Sequence, residues 1–288
     1  PPKLPDRRAV GAHVSMTAPK ANTMADDPVH YGEVAVAGGT LPICIAGEGA
    51  PVILLHGWTL DHRMWTPQAA GLADDFCLVM PDRRGCGRAT APPDLMREAE
   101  DVIAIADTLG FARFALVGLS RGAVVALDVA RRFGARLTGL VVSGAPLPAL
   151  VPREEVIDLD RFRALAAVGD LERLRAEWSR HPLMQTHAPA ARALMFEILA
   201  DYDGRDLLTP SPTPAFPHEA AALLAMPVLA MTGAHDTLWR RECARVLGTV
   251  APRARHLEIP QAGHLANADN PAAFNAAIAQ FLTPKAPA

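Results

Sequence analysis

The sequence is poor in cysteine and contains no long run of apolar residues or of charges of one sign. It has four cysteines without the C-x-x-C spacing of a zinc or redox motif: Cys44, Cys77, Cys86 and Cys243. This usage is typical of a reduced, cytoplasmic protein rather than of a disulfide framework. No apolar stretch reaches the roughly 18 residues that a membrane-spanning helix needs, so we expect no membrane partner.

The charge balance and the length bear on nucleic-acid binding and on the number of domains. The 28 basic and 31 acidic residues are intermixed and give a formal net charge of −3, which provides no reason to expect nucleic acid as a partner. With 288 residues and 50% hydrophobic content, the chain can bury a large core in one α/β domain. Residues 1–28 are rich in proline, alanine and charge and lack the apolar centre of a signal peptide, so we expect a flexible N-terminal tail there.

Short apolar runs alternate with helical patterns along most of the chain. Four such runs lie in its first half: Val52–Leu55, Phe76–Met80, Phe114–Val117 and Leu137–Val142. They carry almost no polar residues, as expected of parallel strands that are covered on both faces. The alternation predicts an α/β fold with a mostly parallel central sheet and helices on both faces.

The alternation breaks between residues 147 and 218, where the pattern is helical and no strand is indicated. Helices are predicted at Arg153–Val168, Leu171–Arg180 and Pro189–Tyr202, and a final helix is predicted at Pro271–Leu282. We therefore expect residues 29–146 and 219–288 to form the α/β core and residues 147–218 to form an inserted helical lid. Apolar residues of this segment are candidates for the ceiling of a site or for the core of the lid itself: Leu183, Met184, Leu194, Met195, Phe196 and Ile198.

A possible nucleophile lies between a predicted strand and a predicted helix. Residues Gly118 to Gly122 match G-x-S-x-G with Ser120 in the centre. A sharp strand-to-helix turn would hold the serine hydroxyl at the carboxyl end of the strand, and the flanking glycines would allow the close approach of strand and helix. The motif alone is weak, because an ordinary glycine-rich turn gives the same pattern.

A serine hydroxyl needs a base, and the base needs an acid that orients it. His264 follows the last predicted strand, and Asp236 follows the strand that resumes after the insertion. Both therefore belong at the same edge of the sheet as Ser120. Alternatively, His264 is an ordinary surface residue, since the sequence has ten histidines, and Asp236 only caps a helix. The rival loop for the acid, residues 143–146, contains no carboxylate.

Backbone N–H groups that could stabilise an oxyanion are expected at two places. One is Arg121, directly after the serine, and the other is Trp58 in the loop that follows the strand ending at Leu55. Gly57 permits a backbone turn there, and His56 suits a structural or oxyanion-loop role. The alternative for this loop is a simple strand-ending turn.

The Arg121 side chain allows two interpretations. A cation beside the nucleophile could bind a substrate carboxylate. Alternatively, the side chain turns off the reaction axis and pairs with a local acid or with the Asp82 loop, so that only its backbone serves catalysis.

From about Tyr31 to Leu282, the sequence resembles the α/β-hydrolase superfamily, in particular its small bacterial esterase, enol-lactonase and cofactor-free haloperoxidase-like branch. The order Ser120, Asp236, His264 is the order of nucleophile, acid and histidine in that superfamily. The residues that carry the resemblance are His56-Gly57, Asp82-x-Arg84-Gly85-x-Gly87, Gly118-x-Ser120-x-Gly122, Asp236 and Gly263-His264. Two positions depart from it, since Arg121 stands where Met or Gln is usual and Ala89 stands where Ser is usual.

The resemblance implies a serine hydrolase that needs no metal and no cofactor. We expect it to cleave a carboxylic ester or lactone of a small, largely apolar substrate through Ser120, His264 and Asp236. The same triad could serve a C–C bond hydrolase or a perhydrolase, and a ligand sensor with negligible turnover could keep the same fold. The sequence leaves the oligomeric state open.

Overall fold

The structure is a computed structural model that describes residues 29–209 and 211–283. The predicted N-terminal tail, residues 1–28, lies outside these ranges. The strands of the described residues are β1 (Val29–Val36), β2 (Gly39–Ala46), β3 (Ala50–Leu55), β4 (Phe76–Pro81), β5 (Phe114–Leu119), β6 (Leu137–Ser143), β7 (Val228–Gly233) and β8 (Ala254–Ile259). The α-helices of the same ranges are α1 (Thr66–Leu72), α2 (Glu98–Thr108), α3 (Arg121–Phe133), α4 (Leu159–Ala167), α5 (Leu171–Trp178), α6 (Pro189–Ala200), α7 (Arg205–Leu208), α8 (His218–Ala222), α9 (Leu238–Val250), α10 (Ala266–Asp269) and α11 (Pro271–Leu282).

All eight strands form one sheet in the order β1-β2-β4-β3-β5-β6-β7-β8. The strands from β4 to β8 in this order are parallel, and β1 and β2 add an antiparallel edge. The predicted mostly parallel α/β sheet is therefore confirmed. The chain moves from β3 outward to β4 and then crosses to β5 on the other side. This reversal opens a crevice at the carboxyl ends of β3 and β5, where open α/β sheets bind ligands.

The two faces of the sheet bury separate hydrophobic clusters. Because strand side chains alternate, Val52 and Leu54 of β3 join one cluster while Ile53 and Leu55 join the other. The first cluster includes apolar residues of α1 and α11, and the second includes those of α2, α3 and α9. Helices thus cover both faces, as the alternating pattern predicted, and this explains why the central strands carry almost no polar residues.

The described chain between β6 and β7 contains helices α4 to α8 and no strand. The prediction of a helix from Arg153 is wrong at its start, because α4 begins at Leu159. Asp158 ends the preceding irregular stretch by accepting a hydrogen bond at 3.0 Å from the N–H of Arg161, as an N-cap residue does. The predicted boundary at residue 218/219 falls inside α8. We call residues 147–218 the inserted segment.

Two further observations concern membrane-spanning helices and disulfide bonds, neither of which is expected from the sequence. None of the helices in the described ranges combines the length and the hydropathy that crossing a bilayer requires. All four cysteines lie in the described part of the chain, and none of them forms a disulfide.

Candidate active site

Ser120 lies in a strained turn that joins β5 directly to α3. Its backbone has φ 55° and ψ −113°, a conformation that L-residues avoid and that costs of order 1–3 kcal/mol. The two flanking glycines make the turn possible. A β-carbon at Gly118 would lie 2.5 Å from the carbonyl oxygen of Gly122, and a β-carbon at Gly122 would overlap the carbonyl oxygen of Leu55. The serine hydroxyl is thereby held at the carboxyl end of β5.

His264 and Asp236 form a buried hydrogen-bonded pair. Nδ1 of His264 lies 2.9 Å from Oδ2 of Asp236, and both side chains are almost fully buried. The other carboxylate oxygen of Asp236 accepts a hydrogen bond from the N–H of Thr237 at 2.7 Å. Nε2 of His264 is buried and has no hydrogen-bond partner among the described residues. In the neutral imidazole, donation from Nδ1 to this carboxylate leaves Nε2 as the acceptor.

Sequence reasoning missed the residues that hold this pair in place. The guanidinium of Arg240 binds the Glu155 carboxylate at 2.6 Å and the carbonyl oxygen of Gly144 at 2.7 Å, and Gly144 packs against the ring of His264. The pKa of the Glu155 carboxyl, which burial alone would raise, is lowered by the hydrogen bonds and charge of Arg240. These residues are distant in sequence and match no motif, so only the fold reveals their contact.

Asp269 was also missed, although it anchors the loop that carries His264. Its carboxylate accepts hydrogen bonds from the backbone N–H groups of Gly263 at 2.8 Å and of His187 at 2.6 Å. His187 belongs to the inserted segment, and its ring stacks on that of His235 with centroids 4.8 Å apart. One carboxylate therefore ties the histidine loop to the inserted segment.

His56 stiffens the loop after β3. Its Nδ1 donates to the carbonyl oxygen of Gly57 at 2.8 Å, and its Nε2 accepts from the backbone N–H of Arg83 at 3.0 Å. Burial, reinforced by the positive charge of Arg83, lowers the pKa of His56 to about 4. The ring is therefore neutral near pH 7 and holds the turn at Gly57, where a β-carbon would lie 3.5 Å from Cβ of Ser120.

Trp58 and Arg121 flank Ser120 and are linked through a third residue. Arg121 is the first residue of α3, where backbone N–H groups have no partner within the helix. Its side chain pairs with Asp206 at 2.8 Å, and Nε1 of Trp58 donates to the same carboxylate oxygen at 2.8 Å. Of the two interpretations of Arg121, the structure agrees with pairing to an acid, and that acid comes from the inserted segment rather than from the Asp82 loop.

A cavity of about 250 Å³ joins these parts. Ser120 and His264 both line it, and its remaining wall is mainly apolar. Of the six apolar residues singled out in the inserted segment, Leu183 and Met184 line the cavity. Met195 and Ile198 are buried in the core of the protein, whereas Phe196 is 43% exposed. The arrangement brings a hydroxyl, an imidazole and a carboxylate to one edge of the sheet beside an apolar pocket.

The chain is similar to known proteins over most of its length. Residues 52–277 match the model of a family described as the alpha/beta hydrolase family. The "Putative carbamate hydrolase RutD" of Klebsiella pneumoniae is 28% identical over 256 residues, which cover 83% of this chain and 94% of that protein.

Solved structures with the same fold include two hydrolases. The enol-lactonase of Burkholderia xenovorans superposes with a TM-score of 0.73 at 24% identity, covering 88% of this chain and 100% of that one. The carboxylesterase CesB of Bacillus subtilis gives a TM-score of 0.77 at 21% identity, covering 90% and 93%. The fold and the family match agree with the resemblance seen in the sequence. The chain belongs to the alpha/beta hydrolase family.

Proposed function

We propose that this hydrolase cleaves a carboxylic ester or lactone of a small substrate by attack of Ser120 on the carbonyl carbon. The observation that carries the proposal is the buried His264–Asp236 pair. Nε2 of His264 has no hydrogen-bond partner within the described ranges, and His264 lines the same cavity as the strained Ser120. An unpartnered buried acceptor costs free energy, and a hydroxyl or water that delivers a proton to it would remove that cost.

In the proposed reaction, His264 takes the proton of Ser120 as the oxygen attacks, and an acyl-enzyme forms as the alcohol leaves with that proton. Water, deprotonated by the same imidazole, then releases the acid. Asp236 keeps the ring in the tautomer with the proton on Nδ1. The chemistry needs only side chains, backbone amides and water.

The backbone N–H groups of Trp58 and Arg121 are the proposed oxyanion donors. Support for Arg121 comes from its position as the first residue of α3, since the partial positive charge of a helix N-terminus favours an anion. Support for Trp58 comes from the loop that His56 and Gly57 hold against Ser120. Removal of one such donor typically lowers the rate about 10²- to 10³-fold.

The inserted segment is the proposed lid over the site. Leu159, Trp178, Leu183 and Met184 from this segment line the cavity, and a lid of this kind excludes water and contacts the substrate. A carbamate is a second candidate substrate, because relatives of this chain are named putative carbamate hydrolases. The same acyl transfer would cleave a carbamate. The same three residues would also serve a perhydrolase or a C–C hydrolase, and a sensor without catalytic turnover could retain them; these are the alternatives to the proposed function.

The proposal is tested with a panel of p-nitrophenyl esters, aryl lactones and aryl carbamates. We expect multiple turnovers on at least one of them and a loss of about 10⁴-fold or more in kcat for Ser120→Ala. Asp236→Asn should lose about 10⁴-fold, because it allows the wrong imidazole tautomer. Thermal melting and circular dichroism report whether the variants fold. Absence of turnover on every class would favour the sensor, and an undiminished rate in Ser120→Ala would reject Ser120 as the nucleophile.

A further inference from the structure

Among the residues that the structure describes, three guanidinium groups and no carboxylate line the cavity that contains Ser120 and His264. The guanidinium groups belong to Arg121, Arg153 and Arg240. Charged groups on the wall of a mainly apolar pocket decide which ligands it accepts, because they attract groups of opposite charge and repel groups of like charge. The partners of the three arginines therefore bear on the substrate class.

Two of the three arginines are already neutralised. Nη1 of Arg121 binds the carboxylate of Asp206 at 2.8 Å. Arg240 binds the carboxylate of Glu155 through Nε and Nη2, and its Nη1 donates to the carbonyl oxygen of Gly144. All three nitrogens of the Arg240 guanidinium thus bind neighbouring residues. Neither arginine offers a free charge to a ligand.

Arg153 differs from both of them. Its Nε donates to the backbone carbonyl oxygen of Glu155 at 2.9 Å, and no carboxylate in the described ranges pairs with it. The loop that carries it is nevertheless anchored, because the Glu155 side chain binds Arg240 and accepts a hydrogen bond from Oγ1 of Thr237 at 3.1 Å. Thr237 directly follows Asp236. The loop that carries Arg153 is therefore anchored beside the loop of the proposed catalytic acid, and the Arg153 side chain lines the cavity while it remains exposed to solvent.

We propose that Arg153 binds a carboxylate on the substrate, so that the preferred substrates are esters or lactones with an apolar body and a second, ionised carboxyl group. This deepens the proposed function and rests on it for the bond that is cleaved. The planar fork of arginine suits a carboxylate, which it can bind through two parallel hydrogen bonds. The earlier hypothesis of a cationic anchor thereby moves from Arg121 to Arg153.

Matched substrate pairs test the proposal. The first pair is mono-p-nitrophenyl glutarate and p-nitrophenyl valerate, which have acyl chains of equal length. The second pair, 4-carboxyphenyl valerate and phenyl valerate, carries the carboxylate on the alcohol side. For the charged member of one pair, Arg153→Gln should lower kcat/KM about tenfold or more, mainly through KM, as expected for loss of a charge-assisted hydrogen bond. The neutral member should stay within about twofold.

Control variants make the result specific. Arg153→Lys keeps the charge without the fork and should retain part of the preference. Arg180→Gln removes an exposed arginine of the inserted segment that does not line the cavity, and it should change neither member of a pair. Equal losses on charged and neutral esters in Arg153→Gln, or no preference for a charged ester in the wild type, would overturn the anion site.

A binding measurement separates this inference from the proposed chemistry. Glutarate is titrated calorimetrically into Ser120→Ala and into Ser120→Ala/Arg153→Gln. Binding that disappears with Arg153 supports the anion site even if no ester is cleaved, and in that case only the ester chemistry falls. Equal glutarate affinity in the two proteins rejects the anion site while Ser120-dependent hydrolysis stands.

A second and independent observation concerns Asp206, a buried carboxylate of α7 in the inserted segment. Its Oδ2 accepts hydrogen bonds from Nε1 of Trp58 and Nη1 of Arg121, each at 2.8 Å. Its Oδ1 accepts from the hydroxyl of Tyr202 at 2.6 Å. The Arg121 guanidinium also lies over the Trp58 ring, 5.1 Å from its centroid. One carboxylate thus holds the side chains of both proposed oxyanion donors.

We infer that Asp206 is a positioning residue that couples the seating of the inserted segment to the geometry of the oxyanion hole. The two donors lie on separate elements, the loop after β3 and the start of α3. Their common bond to Asp206 keeps them in one relative position while the inserted segment is closed. A displacement of about 1 Å at such a site can lower the rate about 10²-fold.

Asp206→Asn tests this role, with Tyr202→Phe as the matched control that removes a bond to Asp206 but none to either donor. We expect Asp206→Asn to lower kcat about 10- to 100-fold with KM within about threefold. Its affinity for a trifluoromethyl ketone, which forms a tetrahedral adduct with the serine, should fall by the same factor as kcat/KM. A purely structural role would reduce the yield of folded enzyme without changing the ketone affinity of the folded fraction. Unchanged kcat or unchanged ketone affinity would overturn the inference, and absence of any Ser120-dependent hydrolysis would overturn it together with the proposed function.

Discussion

The backbone of Gly144 lies directly against the imidazole of His264. A β-carbon at Gly144 would lie 2.6 Å from Cε1 and 2.8 Å from Nδ1 of that ring, and 3.3 Å from Oδ2 of Asp236. Gly144 has φ +58° and follows the last residue of β6. The end of β6 therefore serves as a wall that fixes the plane of the histidine, and only glycine leaves room for it.

Gly144→Ala should lower the activity, whereas alanine at a glycine of similar φ far from the site should not. The methyl group would push the His264 ring away from its place, and we expect kcat to fall about 10²-fold. Gly110→Ala is the matched control, because Gly110 has φ +74° and a β-carbon there would meet nothing within 4 Å. Both variants should lose about 1–3 kcal/mol of unfolding free energy from the positive φ, and Gly144→Ala should lose more because its methyl group meets the ring, while Gly110→Ala keeps its kcat. Equal kcat values for the two variants would contradict the assigned role of Gly144.

The neutral, buried His56 should make the protein sensitive to acid. Burial and the charge of Arg83 lower its pKa to about 4, whereas the unfolded chain takes up the proton near pH 6.5. Since the unfolded state binds more protons between these values, the unfolding free energy falls as the pH drops. We expect a loss of about 2 kcal/mol from this group between about pH 7.5 and 5.

His56→Gln removes this titration and should flatten the curve of unfolding free energy against pH by that amount. The measurement is denaturant unfolding at several pH values in this window. His218→Gln, which replaces an exposed histidine, should leave the slope of the wild type intact. An identical slope in His56→Gln and wild type would contradict the assignment.

The buried Arg240–Glu155 ion pair should be costly to break on one side. Both side chains are at most 5% exposed, so Arg240→Met leaves a buried carboxylate without its cation. We expect this variant to lose about 3–5 kcal/mol of unfolding free energy. The double variant Arg240→Met/Glu155→Leu should recover most of the loss, because no charge then remains buried. A double variant as unstable as the single one would show that the pair stabilises through packing rather than charge.

Much of the fold could be predicted because it depends on local patterns. The apolar runs at β3, β5 and β6 are long enough to indicate buried strands, and alternation with helices indicates a parallel sheet. Helical spacing continues through Arg153 to Ile157 and predicts a start of α4 six residues too early, because the sequence pattern does not reveal that Asp158 caps the helix. Short elements such as α7 and α10 were missed because four residues carry no periodicity.

The site was partly predictable for the same reason. Ser120, Asp236 and His264 each follow a strand, and the carboxyl ends of parallel strands meet at one edge of the sheet. The supporting residues could not be found in this way. Asp206 lies 85 positions from Arg121 and Glu155 lies 85 positions from Arg240, and nothing in the local sequence of either acid indicates its partner.

The layered architecture, the sharp turn at Ser120 and the order of the three candidate catalytic residues can be read from the residues alone, because they depend on strand length, glycine placement and chain order. Which charges are neutralised becomes visible in the folded chain. There Arg121 pairs with Asp206 and Arg240 with Glu155, and Arg153 is left unpaired among the described residues. The physical reason is that an ion pair depends on the distance between two side chains in space, and that distance is set by the packing of the inserted segment on the sheet.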